Sequence, residues 1–152
     1  MMFVLPGATV KADTTSDLLV QAGPAESAEP IDSCVALQEV STGETEIRKR
    51  IENRAIARGN WNTDFLVPSG QQFSYFVAIL VPEHNAPYHF TPTLRFSNGA
   101  SESPFSVRSD LVNGEIYSIP FQSSTDRQSN MINARVGGVN GNFYTISVVG
   151  CQ

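Results

Sequence analysis

Residues 70–81, GQQFSYFVAILV, hold the longest apolar run beyond the N-terminal dozen. Laid out with the two-residue period of a strand, Phe73, Tyr75, Val77, Ile79 and Val81 fall on one side and Phe76, Ala78 and Leu80 on the other. Both sides are apolar, which predicts a central strand covered on both faces. β-branched and aromatic residues dominate the run, and Pro68-Ser69-Gly70 and Pro82 bracket it. That combination favours a strand over a helix.

The same pattern repeats on either side. Residues 88–96, YHFTPTLRF, alternate Tyr88, Phe90, Pro92, Leu94 and Phe96 against His89, Thr91, Thr93 and Arg95. Pro92 has no N–H for a ladder, so this strand is expected at an edge or with a bulge. Asn98-Gly99 signals a turn, and Asn113-Gly114 a hairpin into residues 115–121. Residues 131–136 and 142–149 read as two further strands joined by Gly137-Gly138-Val139-Asn140-Gly141. Upstream, residues 65–67 and 31–40 read as strands. Residues 44–58, ETEIRKRIENRAIAR, fit two patterns. As a helix they present Ile47, Ile51 and Ala55 as a stripe, with Glu46 and Arg50 paired. As a strand they present those residues and Ala57 on one face, with charges on the other. Strand neighbours favour a long strand with an exposed charged face. Short strands at turn spacing predict an all-β fold: one antiparallel β-sandwich domain over residues 31–152, jelly-roll or Ig-like.

Residues 13–30, DTTSDLLVQAGPAESAEP, have the composition of a linker and are expected to form a flexible N-terminal arm. Their one apolar spot, Leu18-Leu19-Val20, would pack loosely on the domain or act as a donor strand for a neighbouring sheet. Residues 1–12, MMFVLPGATVKA, resemble the end of a truncated secretory signal, with Val10 and Ala12 before a cut at Asp13.

Charged residues make up 16% of the 152, against about 25% in an average soluble protein. The formal net charge of -5 argues against a nucleic-acid partner and against attraction to anionic lipid. No run approaches the ~20 apolar residues of a membrane span. Two cysteines in an exported chain most simply pair, so Cys34 and Cys151 are expected to form a disulfide. The first and last strands would then be neighbours or face each other, with Cα atoms within about 7 Å. The bridge also implies a periplasmic or extracellular location.

Few residues suggest chemistry. His84 and His89 are the only histidines, and with Glu83 they make at most a partial metal set. The simpler reading is two exposed loop histidines that contact ligand, with no metal and no cofactor. Gly-x-Ser-x-Gly is absent, and the carboxylates at Asp64, Glu83, Glu102, Asp110 and Glu115 show no glycosidase spacing. No catalytic residue is assigned. Trp61 and Tyr88 are candidate platforms for stacking on a sugar, though Trp61 also suits a cap on one end of the core. Residues 48–58 hold five of the ten Lys and Arg. They read as a solvated strand face partly offset by Glu46 and Glu52, with an anion-binding stripe as the other reading.

Residues 62–73, NTDFLVPSGQQF, and 133–148, NARVGGVNGNFYTISV, carry a resemblance. They look like the opening and the closing hairpin of pre-peptidase C-terminal-type domains, over about the last two thirds of the chain. Members of that family are secreted bacterial β-sandwiches, often appended to hydrolases, and the resemblance implies an accessory binding role. No catalytic sequence accompanies it here. The expected function is a secreted non-enzymatic binding module at the cell surface or in the matrix, with a glycan or another surface protein as partner. Two other readings stay open: a structural or adhesive subunit assembling through sheet edges or the arm, and a small hydrolase or metal enzyme.

Overall fold

The computed structural model describes residues 33–53 and 62–152. The leader, the arm, the far end of the 44–58 segment and Trp61 lie outside the described residues.

The first described strand lies at the edge of sheet A. β1 (Cys34–Ala36) pairs with the last strand, and β2 (Gln38–Glu39) pairs in the opposite sheet. One strand was expected over residues 31–40. The break falls at Leu37, which is buried and donates its N–H to the Val148 carbonyl as the chain passes from one layer to the other. β3 (Ile47–Arg50) takes the strand alternative but not the expected length: the strand ends before Ile51, whose backbone bonds to Asn142 and Gly141 just ahead of the last strand. Arg48 and Arg50 face solvent, and Ile51 just beyond it is buried.

From there the strands are longer: β4 (Asn62–Leu66), β5 (Tyr75–Pro82) and β6 (Ala86–Arg95). They are followed by β7 (Ser101–Glu102), β8 (Val107–Leu111), β9 (Tyr117–Phe121), β10 (Met131–Gly138) and β11 (Phe143–Cys151). Among the described residues every strand pairing is antiparallel. In sheet A, β11 lies between β5 and the two short strands β1 and β3, and β9 follows β5. In sheet B the order is β2, β4, β10, β6, with β7 and β8 on the two ends of β6. The protein is an all-β sandwich.

β5 is internal to sheet A, as its sequence predicts, but it is not covered on both faces. Phe76, Ala78 and Leu80 are buried, whereas Tyr75, Val77, Ile79 and Val81 are half-buried. The reason is the layering: a two-layer sandwich covers one face of each sheet. The covered faces supply the core, including Phe65, Leu80, Phe90, Ile132, Tyr144 and Ile146. Each such full burial is worth about 1.5–3 kcal/mol.

One of the expected turns does the work its signal predicts, and two do not. Asn98-Gly99 closes a true hairpin, β6 to β7, with Gly99 at φ 91°. Asn113-Gly114 carries the chain from β8 in sheet B to β9 in sheet A. The stretch after β10 likewise crosses to β11, so the expected closing hairpin is an arch between sheets. Pro92 pairs with Ala134 on one side, and on its other side it falls between the ends of β7 and β8. The residue without a donor thus sits where no strand needs one.

Candidate functional site

The outward face of sheet B is mostly polar, with exposed Leu66 of β4 opposite Met131 as an apolar spot at one end. Tyr88, Phe90, Pro92 and Leu94 turn into the core, so His89, Thr91, Thr93 and Arg95 turn out. β10 sets Met131, Asn133, Arg135 and Gly137 beside them on the same face. β4 adds Asn62 and Asp64, and β8 adds Arg108 and Asp110. Register places Arg95 opposite Met131, Thr91 opposite Arg135, and His89 between Gly137 and Arg108.

Short polar contacts hold this face. The hydroxyls of Thr91 and Ser106 lie 2.7 Å apart, and those of Thr93 and Ser103 2.6 Å. Asn133 is only 4% exposed, and its Nδ2 donates to Asp64 Oδ1 at 2.8 Å. A buried amide needs such a partner, and its carbonyl oxygen remains as an acceptor. The His89 ring lies over Gly137, where a Cβ would meet Nδ1 at 3.6 Å. Its pKa is lowered below 6.5, by partial burial first and then by Arg108 and Arg135.

At the β6–β7 end the face deepens into an open groove of about 410 Å³. Thr93, Arg95, Ser101 and Asn130 line it with hydrogen-bonding groups, and Met131 and Phe96 supply apolar surface. The hairpin turn forms one wall, where Asn98 Oδ1 accepts from Ala100 N at 2.9 Å. The Arg127 guanidinium lies 4.9 Å from the Phe96 ring centroid. Nearby, Glu102 accepts from Ser123 Oγ and Ser124 N, tying the β9–β10 loop to β7. Those bonds from Ser124 and Ser123 lower the Glu102 pKa.

The residues singled out from sequence fall in several places. Cys34 and Cys151 are bonded, with Cα atoms 4.1 Å apart. Tyr88 is 2% exposed and donates its hydroxyl to the Phe143 carbonyl at 2.8 Å. Its ring has no open face for a sugar, because strand parity turns it inward with Phe90 and Leu94. His84 is half-buried in the turn between β5 and β6, whereas His89 is a strand residue rather than a loop residue. Among the described residues no three His, Cys, Asp or Glu groups gather where a metal would bind. Trp61 is outside the described residues.

The cations of β3 are engaged locally. Arg48 Nε meets Glu83 Oε2 at 2.7 Å and its guanidinium covers Phe143, Arg50 meets Glu52 at 3.0 Å, and Lys49 donates to the Asn62 carbonyl. Burial lowers the Lys49 pKa. Sequence reasoning missed Ser101, Asn130, Met131 and the arginines of sheet B. The alternation in YHFTPTLRF marks the outward face of β6, but nothing local marks which strands flank it.

The arrangement defines an antiparallel β-sandwich tied by one disulfide, with a polar groove at one end of its second sheet. No family model matches the chain, and no curated protein matches it. Among solved structures it is similar to a chain from the structural and functional characterization of Pseudomonas aeruginosa AlgX. That match has a TM-score of 0.46 at 14% identity, over 74% of this chain and 27% of the other. Among the described residues no helix is long and apolar enough to cross a membrane.

Proposed function

We propose that the protein is a non-enzymatic glycan-binding module of an exported chain, acting at the cell surface or in the extracellular matrix. The observation that carries the reading is the groove of about 410 Å³ at the end of a sheet face that presents hydroxyl and amide groups. Sugars offer hydroxyls in pairs and small apolar CH patches. Thr93, Ser101 and Asn130 supply donors and acceptors for the first, and Met131 supplies surface for the second. The Cys34–Cys151 bond supports a location where disulfides persist. A glycan array probed with the purified protein tests the reading. Binding should weaken by about 3–10-fold in Asn130→Ala, the value of one hydrogen bond, with melting unchanged. An array with no bound glycan would end it.

A second reading, a structural subunit that assembles through sheet A, has its own support. Val77, Ile79 and Val81 form a half-buried apolar row on β5, beside Val149 on β11 and the exposed Pro120 on β9. Sedimentation of the wild type and of Val77→Lys separates the two readings. Assembly that Val77→Lys abolishes favours the subunit, and a monomer at all concentrations removes it.

A further inference from the structure

We propose that the outward face of sheet B binds an extended acidic polysaccharide, with Arg95, Arg135 and Arg108 meeting successive carboxylate or sulfate groups. This rests on the glycan-binding reading and adds the ligand's charge. The chain is acidic overall, at -5, yet Arg95, Arg108, Arg127 and Arg135, which are all the Lys and Arg beyond residue 58, lie on this face or beside its groove. His89 lies between Arg108 and Gly137 in the register. The carboxylates of the same face are Asp64, held by Asn133, and Asp110, opposite Pro87. Among the described residues Arg95 and Arg108 make no ion pair, in contrast to Arg48 and Arg50 on sheet A.

Spacing decides the kind of anion. Counted along β6, Arg135 lies at the level of Thr91 and Arg108 at the level of His89. At about 3.3 Å per residue, these levels are roughly 13 and 20 Å from Arg95. No single phosphate or carboxylate bridges such gaps. Nucleic acid is also a poor match, because duplex DNA carries a charge about every 1.7 Å of axis and needs a denser basic surface. A polymer with sparse charges fits the gaps. The hydroxyl pairs Thr91–Ser106 and Thr93–Ser103 lie on the path between the cations, where uncharged sugar groups would pass.

The test is calorimetric titration of the full chain with four probes: dextran, polygalacturonate, dextran sulfate and a single-stranded oligonucleotide. Each is run at low and at physiological salt, since exposed cations are screened within about 8 Å at the latter. The expected result is binding of polygalacturonate or dextran sulfate, weaker at higher salt, and the better of the two identifies the anion. Arg108→Gln and Arg95→Gln should each weaken binding about tenfold, and Arg48→Gln on sheet A should leave it unchanged. Asp110→Asn should tighten it, a gain that misfolding cannot imitate. Binding of dextran alone, or oligonucleotide binding as tight as that of either acidic glycan, overturns this inference while only the former leaves the glycan reading intact. Failure of every probe overturns this inference, and the glycan reading is then decided by the array alone.

Discussion

Cys34 and Cys151 stand directly opposite each other in the β1–β11 ladder, with Cα atoms 4.1 Å apart and their sulfurs bonded. The bond ties residues 117 positions apart and pins the first described strand to the last. Removing it frees a long loop in the unfolded chain, worth at most about 4–5 kcal/mol. Cys34→Ala/Cys151→Ala should therefore unfold at markedly lower urea than the oxidised wild type, and reduction of the wild type should reproduce the shift. Equal urea midpoints would show that the ladder alone holds the two ends.

Gly150 of β11 and Phe73, in the segment just before β5, form a close fit. A Cβ on Gly150 would lie 2.7 Å from the Phe73 ring, which packs edge-on to Phe76 at 5.8 Å. Gly150→Ala should cost about 1–3 kcal/mol as the ring is displaced. Adding Phe73→Leu should recover part of that loss, a coupling that a double-mutant cycle reads from thermal melts. Additive losses would mean that the two sites are independent.

Acid should weaken the fold through its hydrogen-bonded carboxylates. Ser124 and Ser123 hold the Glu102 pKa below its ordinary 4.5, and the hydrogen bond from Arg48 does the same for Glu83. A lowered folded pKa stabilises above the unfolded value and is lost as pH falls through the folded one. The melting temperature should therefore drop as pH falls below 4.5, and less steeply in Glu102→Gln. Parallel pH profiles for the two proteins would contradict the assignment. Both groups are exposed, so the effect is small.

His89 reports the charge of the sheet B face. Burial, Arg108 and Arg135 each favour its neutral form, so it should titrate below 6.5. The folded value lies below the unfolded one, so His89 costs stability as pH falls from 6.5 toward that lower value. Arg108→Gln should move the titration upward, as followed by NMR of the imidazole protons. A His89 that titrates above 6.5, or that ignores Arg108→Gln, would show that the arginine does not face it.

Much of the fold is legible because strand patterning is local. The alternation in residues 88–95 names the buried side of β6 before any partner is known, whereas residues 75–82 are apolar on both sides and leave the buried side of β5 open. Turn chemistry is less informative. Asn98-Gly99 and Asn113-Gly114 look alike, yet one closes a hairpin and the other crosses between sheets. A glycine supplies the left-handed turn in both, but it does not decide where the next strand finds a partner. Tyr88 shows the same limit at the site. Its aromatic character suggested a sugar platform, and the strand's own parity placed it in the core.

The residue order by itself determined an all-β chain, the apolar and polar sides of strands such as β6, and the two sulfurs available to tie its ends. Each follows from composition or from a two-residue period, which neighbouring residues carry. Only the tertiary structure decided that β5 keeps a half-buried outer face, and that Arg95, Arg108 and Arg135 share one surface. These arginines are far apart in the chain and lie on three strands whose pairing is non-local. Their proximity comes from the ladder register between β8, β6 and β10, which is set by the packing of whole sheets rather than by any one stretch.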